Sequence, residues 1–231
     1  MKIQDFGLDG TILQRILSIA LAQGGDFADI YFQYNSSLSI KMEEDIIKNT
    51  SSSILLGVGI RVIDGIQTGY AYTSDVSYEK LVETARNASI IAKNKHNISL
   101  NTLQIKNKSK NIYDLNAPVI NSDIDEQINL VKEAYNSAKK YDNRITKITS
   151  SLASSYDFIT IANSEGLIIT DERPQTRLMV AATAEDGQNK STAIANNGGR
   201  AGMEFYKSVE LPESIGKRAS EEAIILLSAK D

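Results

Sequence analysis

The feature that most constrains this chain is a strict two-residue alternation that runs into a tight turn. Ile54, Leu56, Val58, Ile60 and Val62 recur at every second position, with Leu55, Gly57, Gly59 and Arg61 between them. That is the period of a pleated strand with one buried face. Asp64-Gly65 is a two-residue turn signal, because both positions favour positive φ. Ile66–Thr73 then returns antiparallel. The turn sets the register: Ile63 opposite Ile66, Arg61 opposite Thr68, Gly59 opposite Tyr70 and Gly57 opposite Tyr72. Each tyrosine then covers a bare glycine. The other face, Val58 and Ile60 with Gly69 and Ala71 beside them, is low enough to receive a helix. A helix follows at once, capped by Asp75 or Ser77, with Leu81, Ala85, Ala88 and Ile91-Ala92 as its apolar stripe.

The rest of the chain reads in the same terms. Thr11–Gln23 has helical periodicity, Asp9 as its cap and Gly24-Gly25 as its stop. Short strands are expected at Asp29–Tyr34, at Leu38–Met42 after the turn Asn35-Ser36-Ser37, and at Ile46–Asn49. Asn94–Ala117 has six asparagines, four lysines and no sustained period, so it reads as a linker with a short extended piece at Leu103–Ile105. A second helix is expected over Asp123–Lys140, capped by Ser122, with Ile124, Ile128, Val131, Tyr135 and Ala138 on its stripe. Strands follow at Ile145–Tyr156, Phe158–Ala162, Leu167–Asp171, Arg177–Ala184 and Lys190–Ala195. A last helix covers Glu213–Ala229, with Ile215, Ala219, Ala223 and Leu226-Leu227 inward. Strands joined by short turns give the class α+β: two units, each with helices packed on a mainly antiparallel sheet. The expected division is 1–98, a polar linker 99–118, and 119–231.

Composition narrows the chemistry. Forty-two per cent of the 231 residues are apolar, enough for a core. The net charge of −4 argues against a nucleic-acid binder. There is no cysteine and one histidine, His96, which excludes thiol nucleophiles, zinc ribbons and any site needing two imidazoles. No apolar run approaches the roughly 20 residues of a membrane helix, and the first residues do not resemble a signal peptide. A soluble cytoplasmic protein with no membrane partner is expected.

No motif reads as an active site. Gly57-Val58-Gly59 lies inside an alternating strand, where a dinucleotide loop does not; packing explains it better. Gly198-Gly199-Arg200-Ala201-Gly202 is either an anion-binding backbone nest with Arg200 adding charge, or a flexible turn. Gly198, Gly199 and Arg200 are the candidate substrate or interface residues. His96 stands in a polar stretch without an orienting partner. Glu43-Glu44-Asp45 and Asp171-Glu172 read as charged turns before they read as metal ligands. Tyr70 and Tyr72 have packing work over the glycines. No catalytic, metal-binding or cofactor-binding residue is assigned.

Several segments, taken in order, carry a resemblance. They are Ala28–Phe32, Leu38–Glu43, Gly57–Val62, Thr68–Tyr72 with Asp75, then Ile161–Gly166, Asp171-Glu172-Arg173-Pro174, Ala184–Gly187 and Gly198–Phe205. Together the chain resembles the amino-terminal region of the TldD/PmbA family, on the TldD side. The resemblance implies a soluble cytoplasmic zinc metallopeptidase system, formerly described as a modulator of DNA gyrase. Its TldD-like and PmbA-like subunits associate and act on unfolded peptides. The resemblance also implies that zinc is held by an H-E-x-x-x-H helix and a later cysteine, neither of which this sequence has. The expectation is a non-catalytic amino-terminal region shaping a substrate channel or a subunit interface. Its partners are then a sister subunit and an unfolded peptide, and the zinc lies in a domain outside this chain. The alternative is a peptide- or partner-binding module that works alone. Peptide addition to an exposed strand edge is expected at Asp29–Tyr34 or Phe158–Ala162, which carry few protecting charges.

Overall fold

The structure is a computed structural model and describes residues 1–92, 101–105 and 122–229. After a short 3-10 helix (Ile3–Phe6), the order is α1 (Gly10–Ala20), β1 (Phe27–Glu43), β2 (Ile46–Asp64), β3 (Gln67–Thr73), α2 (Tyr78–Ser89), β4 (Gln104–Ile105), α3 (Ile124–Lys139), β5 (Ile145–Asn163), β6 (Leu167–Asp186), β7 (Asn189–Gly199), α4 (Phe205–Ser208) and α5 (Pro212–Leu227). The strands hydrogen-bond in the order β3-β2-β1-β5-β6-β4, and β7 also pairs β6. The fold is α+β, with helices on a mainly antiparallel sheet; β4 is the parallel exception, against Leu167 and Ile168 of β6.

By contact the chain forms two compact units, each gathered from several segments. The first gathers Met1–Asn35, Ile54–Asn111 and Asp157–Glu172; the second gathers Ser36–Ser53, Ile112–Tyr156 and Arg173–Asp231. The cause is strand length. The short strands expected within residues 29–49, 53–63, 145–162 and 167–184 are halves of four long ones, β1, β2, β5 and β6. Asn35-Ser36-Ser37 does not turn, and Pro174 does not stop β6. Pro174 falls between Ile168, where the β4 ladder ends, and Thr176, where the β7 ladder begins. There β6 has no ladder partner on one side among the described residues, which is where a strand tolerates proline. Of the expected linker, only 101–105 is described; it contains β4, inside the extended piece expected at Leu103–Ile105. His96 lies outside the described residues.

In the first unit, α1 begins as expected: the Asp9 carboxylate accepts the Ile12 N–H at 2.8 Å. Leu13, Ile16, Leu17 and Ala20 of α1 are buried, as are Leu81, Ala85 and Ala88 of α2 and Val58, Ile60 and Val62 of β2. Helix α2 lies so close on β3 that a Cβ at Gly69 would stand 2.1 Å from the Ala88 carbonyl oxygen. Phe6 joins an aromatic cluster with Phe32, Tyr34 and Phe158, at ring separations of 4.8, 5.3 and 6.0 Å.

The hairpin register differs from expectation by two residues. Asp64 pairs with Gln67, Arg61 with Tyr70 and Gly59 with Tyr72, so the turn is Gly65-Ile66. Gly65 has φ 58°, and neither Asp64 nor Ile66 has positive φ. Glycine first is the pattern of a type II′ turn rather than I′. The Asp26 carboxylate accepts the Gly65 N–H at 2.7 Å and fixes this choice. A shift of two keeps every side chain on its expected face. The expected edges are also corrected. Asp29–Tyr34 lies in β1 and Phe158–Ala162 in β5, both interior strands; β3, β4 and β7 are the edges.

In the second unit, α3 and α5 pack on the halves of β1, β5 and β6 that belong to it and on β7. The core includes Ile40, Met42, Val131, Ala134, Tyr135, Leu152, Leu178, Val180, Ile215, Ala219 and Ala223. The stripe of α3 is rotated from the expected one. Ile124 is exposed, while Gln127 and Leu130 are buried. Gln127 can be buried because its amide donates to the Ser122 hydroxyl and accepts from Ser154, both at 2.9 Å. The cap is Asp123, one residue beyond Ser122. On α5, Leu226 points outward and Gly216 and Ser220 point inward. These small residues let α5 press on α3. The Ser220 hydroxyl donates to the Ala138 carbonyl at 3.0 Å, and a Cβ at Gly216 would stand 2.2 Å from the Ala134 carbonyl oxygen. Gly216→Ala is therefore expected to lower the unfolding free energy by about 1–3 kcal/mol despite alanine's better helix propensity. Denaturant unfolding measures it, and an unchanged midpoint would show that the helices are not in close contact.

Candidate functional site

The expected site residues stand at the end of β7. Gly198 and Gly199 are its last residues, and Arg200 follows. None has positive φ, so the alternating backbone of an anion nest is not formed. Gly198 is required for another reason. It pairs with Arg177 of β6, and a Cβ there would stand 2.0 Å from the Thr176 carbonyl oxygen.

The three residues nevertheless line a shared cleft of about 670 Å³ within the second unit. Its floor is rich in hydroxyls: Ser37 and Ser39 from β1, Ser51 and Ser53 from β2, Ser155 from β5. Strand alternation explains why. Ile40, Met42, Leu152, Leu178 and Val180 point into the core, so the residues between them point away from the helices. Gln175, Arg177, Asn196 and Asn197 complete the wall on β6 and β7. The Arg177 guanidinium donates to the Asn196 side-chain oxygen at 3.0 Å. Arg218 donates to the Asn196 carbonyl at 3.1 Å and to Glu210 at 2.6 Å, and the Asn197 amide donates to the same Glu210. Glu204 closes the following loop by accepting the Gly202 N–H at 2.8 Å; its other oxygen is buried without a partner among the described residues.

The cleft is lined mostly by polar residues. Its lining offers hydroxyls, amides and two guanidinium groups, with no histidine, cysteine or carboxylate to activate a nucleophile. Sequence reasoning reached Gly198, Gly199 and Arg200 but missed Arg177, the asparagines and the serines. The signal was the run of serines at alternate positions of strands, which reads as turn until the strands are known to be continuous. The carboxylate triplet Glu43-Glu44-Asp45 is a turn, with φ of 49° at Glu44 and 65° at Asp45. Its carboxylates are engaged by Lys41 and Thr149, which hold Glu43 below its ordinary range, and by Lys48 and Lys139. Zinc takes nitrogen, sulfur and carboxylate donors, and among the described residues no group of three histidine, cysteine, aspartate or glutamate side chains is placed to hold a metal ion.

Tyr206 anchors the β7 wall from beneath. It is 1% exposed, accepts from the Thr176 hydroxyl and donates to the Asn197 carbonyl, both at 3.3 Å. Burial pushes its phenol up to about 12. The folded pKa lies above the unfolded value of about 10, so this contribution is complete below about pH 10 and is lost as pH rises through about 12. Ultraviolet titration should therefore show a late tyrosinate step that Tyr206→Phe removes. The same substitution should cost about 1–2 kcal/mol by unpairing Thr176 and Asn197. A tyrosinate titration unchanged by Tyr206→Phe would contradict the buried, bonded phenol.

Comparison with known proteins agrees with this fold. Residues 28–92 match the family description PmbA/TldA metallopeptidase domain 1, and residues 117–227 match PmbA/TldA metallopeptidase central domain. A relative named Metalloprotease TldD homolog, from Haemophilus influenzae, is 29% identical over 223 residues, covering 94% of this chain and 46% of the relative. Another of that name, from Buchnera aphidicola subsp. Schizaphis graminum, is 29% identical over 78% of this chain and 37% of its own length. The chain thus spans about half or less of these curated relatives. Two crystal structures share the fold. A protein described as a modulator of a DNA gyrase, from Thermotoga maritima, superposes with a TM-score of 0.75 at 22% identity over 95% of this chain and 49% of its own. TldE from Thermococcus kodakarensis superposes with 0.71 at 17% identity, over 92% and 47%. With two matched regions in family order, the chain belongs to the TldD/PmbA metallopeptidase family.

Proposed function

We propose that this chain is the non-catalytic amino-terminal region of a TldD-like zinc metallopeptidase of the cytoplasm, one that breaks down unfolded peptides. In this reading it supplies a wall of the substrate channel or of the interface with a sister subunit, and the zinc is held outside it. One observation carries the reading. The cleft of the second unit is open, hydroxyl-lined and flanked by Arg177 and Arg200, yet has no donor set for zinc and no nucleophile–base pair. A surface of hydroxyls, amides and guanidinium groups suits the polar main chain and the carboxylates of an extended peptide.

The test uses the 231-residue chain itself. After dialysis it should hold less than one zinc per several chains and should not cleave an unfolded peptide. It should bind that peptide or a sister subunit, and Arg200→Ala with Arg177→Ala should weaken the binding about tenfold or more, the worth of a charge-assisted hydrogen bond. One tightly held zinc per chain, with turnover that a chelator abolishes, would overturn the proposal. Peptide binding with no measurable affinity for any sister subunit would favour the stand-alone binding module.

A further inference from the structure

The first unit carries a second cleft, of about 540 Å³, on the face of β1, β2 and β3 turned away from α1 and α2. Its lining differs in kind from that of the serine cleft. It has no charged residue, and its most prominent side chains are aromatic or aliphatic: Tyr31, Leu55, Tyr70 and Tyr72, between 41% and 79% exposed. Tyr70 and Tyr72 stack at 6.4 Å between ring centroids. The nearby charges are satisfied internally. Arg61 pairs with Asp29, and Asp157 accepts from Gln33 and Asn35 at 2.8 and 2.9 Å.

The floor is glycine, and the two floor glycines are not alike. Tyr70 folds over Gly59, where a Cβ would stand 2.5 Å from its hydroxyl oxygen, so Gly59 is accounted for within the chain. Gly57 is not. Its φ is not left-handed, and an added Cβ would meet only the Thr73 carbonyl oxygen, at an ordinary 3.5 Å. A glycine inside a strand weakens it and often marks a bulge, a bend, or a place where a ligand or another backbone comes close. Tyr72, stacked on Tyr70, is 79% exposed.

We propose that this cleft receives an aromatic or aliphatic side chain carried on an extended, uncharged polypeptide segment. The uncharged lining disfavours an ionic ligand. Stacked tyrosines suit an apolar side chain. The edge strand β3, which pairs only with β2 among the described residues, offers main-chain groups beside the tyrosines that a polypeptide can use. The inference rests on the reading of the chain as a peptide-handling region only for the source of the segment.

The test measures affinity of the 231-residue chain for a short labelled Gly/Ser peptide bearing one phenylalanine, against the same peptide with alanine or aspartate in its place. The phenylalanine peptide should bind about tenfold tighter or better. Gly57→Val should bring it down to the alanine level without lowering Tm, because valine suits a strand better than glycine. Tyr72→Ala should do the same, and it decides alone if Gly57→Val lowers Tm. Equal affinity for the phenylalanine and alanine peptides would overturn the proposal, as would tight binding that survives Tyr72→Ala. Tighter binding of the aspartate peptide would overturn it too. So would a dimer in light scattering that Tyr72→Ala dissolves while peptide affinity stays put, since that makes a second copy the occupant. Arg200→Ala should leave this binding unchanged, which separates the cleft from the one in the second unit. Failure here leaves the reading of that second cleft standing.

Discussion

The fold depends on four strands, of 17, 19, 19 and 20 residues, that each contribute to both compact units. On β1 the buried positions are Ala28, Ile30 and Phe32, then Ile40 and Met42, with partly exposed residues between. A strand serving two cores must keep strict alternation in both, since a slip of one residue would reverse every side chain. The middle of β1 is small and polar, whereas β5 stays buried at Ser154, Tyr156 and Phe158. The divisions between the units fall after Asn35, Ser53, Tyr156 and Glu172. The helices then divide the work, α1 and α2 covering one core and α3 and α5 the other.

The proposed function rests on the faces the helices leave uncovered. In each unit the residues between the core positions line an open cleft, and the two linings have little chemistry in common. Serines, asparagines and arginines offer hydrogen bonds; tyrosines over glycine offer apolar contact. Neither lining contains a histidine, cysteine, aspartate or glutamate.

Much of this was legible in the residues, and the misses have specific causes. Helices were readable because caps and periodicity are local: Asp9 caps α1, and Leu81, Ala85 and Ala88 are buried as their spacing requires. Strand continuity was not readable. Asn35-Ser36-Ser37 and Asp171–Pro174 have the composition of turns, and only pairing across the sheet shows them extended. The hairpin register differs by two residues because the Gly65 N–H is held by Asp26, distant in sequence. The stripe of α3 was misplaced because Gln127 is made inward-facing by hydroxyls on other segments. Of the candidate site, Gly198, Gly199 and Arg200 could be named from their loop. The serine floor could not be, since its members come together only once β1, β2 and β5 lie side by side.

The most direct test of continuous strands is amide hydrogen exchange, resolved by residue, across Asn35–Ser37 in β1 and Ser155–Phe158 in β5. Both strands are interior, with a neighbour on each side. The account predicts slow exchange in both segments, comparable with that of the flanking strand residues and well below the rate of an exposed turn. Exchange there at the rate of an unstructured peptide, beside protected flanks, would show turns where the structure has strands and would contradict it.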